Sequence, residues 1–154
     1  MLPATRERIS ANTPAAVNDE ISRHTRHEIW NAVNGGSEQI ERRLGELDRE
    51  WDIERSLEAN AALASLVGVV LGATVDRRWF ALPGVVAGFL LLHSLQGWCP
   101  PLPVFRRLGV RTQAEIEQER YVLKAVRGDF NGVPAAVSGR DQAPVEQALE
   151  AASL

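Results

Sequence analysis

Two long uncharged apolar runs in the middle of the chain constrain its fold more than any other feature. Residues 59–75 and 79–98 contain no Asp, Glu, Lys or Arg, and only Asp76, Arg77 and Arg78 separate them. Because a helix rises ~1.5 Å per residue, runs of these lengths would extend about 26 and 30 Å. The hydrocarbon core of a bilayer is about 30 Å thick. The sequence therefore predicts two transmembrane helices joined by a tight turn.

The apolar runs also carry small residues at a spacing typical of packed transmembrane helices. Gly68 and Gly72 form a GxxxG pair, and Ala64 extends it by one turn. Gly84 and Gly88 form a second pair in the other run. Helices in lipid associate through close contact at small residues, whereas a glycine within a soluble helix costs about 1 kcal/mol relative to alanine. We therefore predict a membrane hairpin with these five residues at helix-packing positions. The alternative is a buried hairpin of a soluble bundle.

Tryptophans and arginines at the ends of the runs indicate how the hairpin would lie in a bilayer. Trp79 and Trp98 bracket the second run. Because indole rings favour membrane–water interfaces, these two residues are predicted to lie at the two interfaces. The turn holds Arg77 and Arg78, whereas the twenty residues on each outer side together hold seven arginines: Arg42, Arg43, Arg49, Arg55, Arg106, Arg107 and Arg111. This excess favours a cytoplasmic location for both flanks. Residues 1–8 contain no apolar stretch, so no cleavable signal peptide is expected.

The segment before the hairpin predicts two amphipathic helices. The first would begin at Thr13-Pro14, which supply a side-chain cap and a proline in the first turn, and would end at Gly35-Gly36. The second would be capped by Ser37 and carries an apolar stripe: Ile40, Leu44, Leu47 and Trp51. Because no proline lies between residues 37 and 75, this helix is predicted to continue directly into the first span. The two stripes suggest an antiparallel pair, or a short coiled coil between protomers.

The segment after the hairpin predicts an exit loop, one helix and a tail. Residues 99–103, Cys-Pro-Pro-Leu-Pro, are predicted to be non-helical and to mark the exit from the bilayer. Thr112 and Glu115 form a capping box for a helix that Gly128 would end. The apolar face of that helix would consist of Ile116, Leu123 and Val126. From residue 131 onward the chain is predicted to be mostly disordered, with a short helix at 144–152.

These elements predict an all-α fold class, a two-helix transmembrane hairpin with amphipathic cytoplasmic helices before and after it. The expected organisation has five parts: an N-terminal helical segment at 1–36, a helix leading into the membrane at 37–58, the hairpin at 59–98, the exit and cytoplasmic helix at 99–130, and the tail at 131–154.

Three stretches of the chain resemble a known bacterial family. Residues 47–55 read Leu-Asp-Arg-Glu-Trp-Asp-Ile-Glu-Arg, residues 96–103 read Gln-Gly-Trp-Cys-Pro-Pro-Leu-Pro, and residues 119–130 continue the pattern. With the hairpin, they resemble the YgaP-like inner-membrane transmembrane domain family, whose function is unknown and whose second span ends in a Gly-aromatic-Cys-Pro pattern. The resemblance implies a two-helix inner-membrane domain. Some relatives also carry a catalytic rhodanese domain, but this chain lacks the length and the β/α pattern of one, so that activity is not implied.

Two side chains near the end of the second run are candidates for chemistry. His93 is the one ionisable side chain within a span, and it could ligate a haem iron, bind a quinone or make a structural interhelical hydrogen bond. Cys99 is the only cysteine, close in sequence to Arg106 and Arg107. Cationic neighbours could activate its thiol for redox or sulfur chemistry, whereas a position after the C-terminus of a helix disfavours a thiolate. A purely structural role is the alternative for both residues.

A possible metal site lies on the predicted N-terminal helix. Four side chains share one face at spacings of three and four and could in principle bind zinc: Glu20, His24, His27 and Glu28. Their order is not that of a metalloprotease motif, and the neighbouring Arg23 and Arg26 disfavour a cation. A solvated helix face is the favoured interpretation. We predict no metal site and no cofactor.

Composition narrows the remaining function classes. A single cysteine excludes a disulfide scaffold, and a net charge of −3 argues against nucleic acid as a partner. The sequence thus predicts a non-enzymatic bacterial inner-membrane protein that contacts the lipid bilayer and forms a homo-oligomer or joins a larger membrane complex. One alternative is a small redox, sulfur-handling or cofactor-binding membrane protein that uses Cys99 or His93. Transport is a third hypothesis, but two spans cannot enclose a pathway without oligomerisation.

Overall fold

The computed structural model describes residues 4, 6–132 and 147–149, and within them it contains helices and turns but no strand. This confirms the predicted all-α class. The predicted tail lies mostly outside the described residues, of which 147–149 are helical. The helices are α1 (Arg8–Ala11), α2 (Ala15–Asn34), α3 (Ser37–Leu47), α4 (Ile53–Thr74), a 3-10 helix (Arg77–Phe80), α5 (Ala81–Gln96), α6 (Leu102–Arg107) and α7 (Gln113–Arg127).

Helices α4 and α5 form the predicted hairpin. Asp52 caps α4, because its Oδ1 accepts a hydrogen bond from the Arg55 N–H at 2.7 Å. Asp76 caps the 3-10 helix in the same way, accepting from the Arg78 N–H at 2.8 Å. Two stretches, Ile53–Thr74 and Arg77–Gln96, are long and apolar enough to cross a membrane. Only 17% and 6% of their most apolar windows are buried, whereas a helix in a soluble core would be mostly covered.

The chain divides into two compact units. One comprises Met1–Arg23 and Trp51–Ala114, and therefore contains the hairpin. Its apolar core consists of Ile9, Ile53, Leu57, Cys99 and Leu102, with Phe105 and Val110 packed against them. The first residue of α4 is fixed to the segment after α6, since the Ile53 N–H donates to the Arg111 carbonyl at 2.8 Å. This core lies where the hairpin begins and ends.

The other unit comprises His24–Glu50 and Glu115–Leu154. Its core is formed by Ala32, Ile40, Leu44, Leu47, Ile116 and Leu123, with Ile29 and Val33 against them. A bidentate ion pair fixes α3 to α7, since Arg43 donates to both carboxylate oxygens of the fully buried Glu119 at 2.7 and 3.2 Å. Burial alone would lower the pKa of Arg43, but its hydrogen bonds to Glu119 and Glu46 raise it overall.

The prediction of one continuous helix from Ser37 into the first span is wrong. Helix α3 ends at Leu47 and α4 begins at Ile53, because Asp52 caps a new helix. Trp51, which the apolar stripe placed on the buried face, is 50% exposed, and the Arg55 guanidinium stacks over its ring. The expected cap at Ser37 is also wrong, since α3 starts at Ser37 itself and no side chain caps it.

The exit segment is more helical than the sequence predicts. Helix α6 begins at Leu102, so Leu102 and Pro103 are helical rather than part of an extended exit. Pro103 is tolerated because the N–H that it lacks would have no partner in the first turn of a helix. The predicted end of α7 at Gly128 is confirmed, and Gly128 has a φ of +96°. Val126, assigned to the apolar face of α7, is instead 53% exposed.

Candidate functional site at the open end of the hairpin

The glycines predicted to pack helices fall into two groups. A Cβ atom added at Gly68 would lie 2.7 Å from Cδ of Pro83, and one at Gly72 would lie 2.9 Å from the Phe80 ring. These two glycines therefore lie where α4 contacts the other arm of the hairpin. Among the described residues outside the local helical turn, no atom would lie within 4 Å of a Cβ atom added at Gly84 or Gly88. The second GxxxG pair is therefore not a close-packing contact between the two arms of the hairpin.

Ala64, the fifth of the predicted packing residues, lines a cavity of about 290 Å³. The cavity opens between α4, α5 and the exit segment. Its walls are almost wholly apolar, with the Asn60 amide and the Cys99 thiol as the polar exceptions. Leu57, Leu90 and Pro101 are among the apolar lining residues.

The N-terminal segment, residues 8–12, binds the open end of the hairpin, where α4 begins and α5 ends. Arg8 donates through Nη1 to the Ser94 carbonyl at 3.2 Å and through Nη2 to the Glu54 carboxylate at 2.5 Å. Asn12 donates to the Gln96 carbonyl at 2.8 Å. These bonds satisfy carbonyl groups in the last turn of α5, and they place a cation at the negative end of the helix dipole.

Gly97 allows this close approach. It ends α5 in the left-handed conformation, with a φ of +76°. A Cβ atom there would lie 2.5 Å from the Arg8 carbonyl oxygen. Both the backbone angle and the space therefore require glycine at this position.

His93 lies one residue before the carbonyl that Arg8 binds. It is 6% exposed, and neither of its ring nitrogens has a hydrogen-bond partner among the described residues. The Nε atom of Arg8 is also buried and has no hydrogen-bond partner among the described residues. Buried polar atoms in native proteins are nearly always paired with protein or water. Three buried nitrogens without a hydrogen-bond partner among the described residues thus lie at this end of the hairpin.

Cys99 is a buried member of the apolar core, with 4% of its surface exposed. Burial raises the pKa of its thiol, and a backbone hydrogen bond from Leu102 opposes that shift. A buried thiol with a raised pKa is a poor nucleophile.

Arg106 is a buried residue that sequence reasoning missed. It is 1% exposed and donates to Thr13 Oγ1 at 3.2 Å, to the Val110 carbonyl at 3.0 Å and to Asn18 Oδ1 at 2.9 Å. It thereby joins α6 to the start of α2. The Thr13 hydroxyl, predicted to cap α2, accepts from Arg106 and donates to the Ile9 carbonyl at 2.8 Å.

The tryptophans predicted at the membrane interfaces and the predicted polar face of α2 are the remaining predicted residues. Trp79 and Trp98 are 44% and 38% exposed near opposite ends of α5. On α2, His24 is exposed, and its Nε2 atom lies 3.8 Å from Oε1 of Glu28. Within the described residues, no three His, Cys, Asp or Glu side chains are placed to hold a metal ion.

No family model matches the chain, and no curated protein or solved structure does so either.

Proposed function

We propose that this chain is a non-enzymatic bacterial inner-membrane protein whose hairpin self-associates through the face of α5 that carries Gly84 and Gly88. One observation carries the proposal. The first GxxxG pair is in contact within the hairpin, whereas the space beside the second pair is open.

The open face has the composition of a helix-packing surface. Gly84, Gly88, Leu91 and Leu95 follow one another at spacings of 4, 3 and 4, so they form one stripe along α5. Leu91 and Leu95 are 63% and 49% exposed. Each glycine within a helix costs about 1 kcal/mol relative to alanine, and nothing within this hairpin offsets that cost at Gly84 and Gly88. A second helix packed against the stripe would offset it through close backbone contact.

Three observations support the membrane location. The two apolar helices leave most of their surface uncovered, which suits lipid better than water. The arginine excess on the outer flanks favours both termini on the cytoplasmic side. The resemblance to the YgaP-like family adds the bacterial inner membrane to the proposal.

The alternative based on Cys99 has less support. Redox and sulfur-transfer reactions need an accessible thiolate, and Cys99 is buried with a raised pKa.

The proposal is tested by the native mass of the complex, extracted gently from its own membranes with bound species identified. We expect a homo-oligomer. In a double variant with leucine in place of both Gly84 and Gly88, the native mass should fall to that of the monomer, because the added side chains separate the two helices.

A matched control replaces Ala62 and Ala73, which are exposed positions of α4, with leucine. This control adds similar bulk to the hairpin outside the proposed interface and should leave the oligomer intact. A monomeric wild type, or equal effects of the two double variants, would refute self-association through α5. A stoichiometric foreign subunit would instead make the chain an accessory component of a larger complex.

A further inference from the structure

The cavity between the two arms of the hairpin is long and narrow. Helix α4 lines it with four residues on one face of the helix, namely Leu57, Asn60, Ala61 and Ala64. Helix α5 lines it across residues 82–90. At ~1.5 Å per residue, these stretches extend about 10–12 Å along the helix axes. A volume of about 290 Å³ spread over that length averages about 25 Å² in cross-section.

One end of the cavity is closed, and the other is open. Toward the turn the arms pack closely, since a Cβ atom added at Gly68 would lie 3.0 Å from Cβ of Leu82, a lining residue. Toward the exit segment, the lining includes Pro100 and Pro101, which are both exposed. Along the side, the lining residue Val85 is 54% exposed. Among the described residues, the cavity therefore opens at the exit segment and along one side.

We propose that this cavity binds one acyl chain of a membrane phospholipid, with the ester end of the chain at the exit segment and the methyl end toward Leu82. The inference rests on the proposed membrane location, but it does not rest on self-association.

The dimensions of the cavity favour a hydrocarbon chain over a second copy of the protein. A helix with its side chains is about 10–12 Å across, so it cannot enter a space that averages about 25 Å² in cross-section. At 3.6 residues per turn, Gly84 and Gly88 lie on the opposite side of α5 from the lining residues Leu82, Val86 and Phe89. A second copy packed on those glycines would leave the cavity free for lipid.

The lining of the cavity matches the chemistry of an acyl ester. Its polar exceptions are both near the exit segment: Cys99 belongs to that segment, and Asn60 follows by one turn Leu57, which packs in the same core as Cys99. The Asn60 amide offers a donor for an ester carbonyl. The rest of the lining is apolar and offers water too few partners, whereas an empty cavity loses dispersion contacts. An acyl chain from the surrounding bilayer restores those contacts.

The experiment places the full chain in phosphatidylcholine vesicles that contain a trace of the same lipid with a diazirine on one acyl chain. Irradiation attaches this lipid to neighbouring side chains, and mass spectrometry of peptides quantifies the label at each residue. Each value is divided by that of the same residue in the unfolded chain in organic solvent, which removes differences in intrinsic reactivity.

The order of labelling along α4 decides the test. We expect Ala61 and Ala64 to carry more label than Leu63 and Leu66, which lie at similar depth and are 62% and 61% exposed. Contact with bulk lipid alone gives the reverse order, because label then follows exposure and both alanines are only half-exposed.

Variants that fill the cavity provide a second test. The double variant Ala61→Leu, Ala64→Leu should lose the label on Val86 across the cavity. The control Ala62→Leu, Ala73→Leu adds the same bulk at exposed positions of α4 and should keep it. The single variant Ala64→Val adds less bulk and should show a partial loss, so the test remains available if the filled double variant does not fold.

Several outcomes would overturn the proposal. A chain that floats with the vesicles but is labelled in order of exposure refutes the acyl-chain site alone, whereas a chain that does not float refutes the membrane location as well. Loss of cavity label in the double variant Gly84→Leu, Gly88→Leu would show that the site requires an oligomer. An isoprenoid lipid held one per chain after gentle extraction from native membranes would give the cavity a different occupant.

Discussion

Gly68 and Pro83 lie so close that a Cβ atom on Gly68 would be 2.7 Å from Cδ of the proline ring. Real Cβ atoms essentially never approach another atom this closely, so one of the two arms would have to move to admit even a methyl group. The contact explains why glycine stands in the middle of α4 although it weakens an isolated helix. The contact also distinguishes Gly68 from Gly84, where an added Cβ atom would meet no described residue within 4 Å.

Gly68→Ala should destabilise the hairpin. Overpacking typically costs about 1–3 kcal/mol, which exceeds the gain of about 1 kcal/mol in helix propensity in most of that range. Unfolding of the purified chain in mixed micelles measures the change. Gly84→Ala is the matched control. With both variants measured at a micelle-to-protein ratio that keeps the chain monomeric, it should be neutral or stabilising. Equal losses for both variants would contradict the contact seen at Pro83.

Arg106→Leu should cost about 2–4 kcal/mol, since it leaves buried acceptors without their donor. The affected acceptors include Thr13 Oγ1 and Asn18 Oδ1, which the guanidinium binds at 3.2 and 2.9 Å. The free energy of unfolding of the full chain is the measurement. Arg107→Leu changes the next, exposed residue of α6 and should fall within about 0.5 kcal/mol of the wild type. A similar loss in both variants would show that charge, and not the buried hydrogen bonds, sets the stability.

Asp52→Ala should destabilise the start of α4 by about 1 kcal/mol, because Oδ1 of Asp52 is the acceptor for the Arg55 N–H. Asp52→Asn keeps an acceptor and should recover most of the loss. Amide hydrogen exchange of residues 53–57 locates the effect, which should be faster exchange in the alanine variant alone. Glu58→Ala, an exposed substitution six residues later, serves as the control.

Asp129 should contribute a pH-dependent increment to stability. Arg127 donates two hydrogen bonds to its carboxylate, at 2.8 and 2.6 Å, and this pairing lowers the pKa of Asp129 below its ordinary value of 3.8. Because the pKa of Asp129 is lower in the folded chain than in the unfolded chain, its carboxylate stabilises the folded chain at pH values above the unfolded-state pKa. This stabilisation is lost as the pH falls through the folded-state pKa.

Asp129→Asn should therefore be less stable than the wild type at pH 7 by about 1 kcal/mol, since the pair lies at the C-terminal end of α7 with the Arg127 side chain 26% exposed. The difference should shrink below roughly pH 5 and disappear in stronger acid. Unfolding curves of both chains across this range provide the measurement. A difference that stays constant down to acid pH would rule out the ion pair as its origin.

The hairpin could be predicted from sequence because its cause is local. Two uncharged runs of membrane length, separated by Asp76, Arg77 and Arg78, leave few other structures open to the chain. The C-terminal ends of α2 and α7 could also be predicted, since glycines follow both helices. In contrast, the break before α4 was missed. The spacing from Leu47 to Trp51 continues a helical stripe, and this pattern hid the cap at Asp52.

The open end of the hairpin could not be predicted because its contacts join distant parts of the chain. Arg8 is 86 positions from Ser94, and Arg106 is 93 positions from Thr13. Nothing local distinguishes the buried Arg106 from the exposed Arg107. Periodicity also says nothing about a four-residue helix such as α1, whose position depends on Gly97.

The turn between the two arms of the hairpin is short enough to affect how the chain enters a membrane. Between the end of α4 and the 3-10 helix lie only Val75 and Asp76. If both arms insert together, the charged side chains that must cross the bilayer are those of Asp76, Arg77 and Arg78. In the proposed orientation, with both flanks on the cytoplasmic side, no folded domain has to be translocated with them. The tight turn would then leave the far side of the membrane with almost no surface that a protease, an antibody or a binding partner could reach.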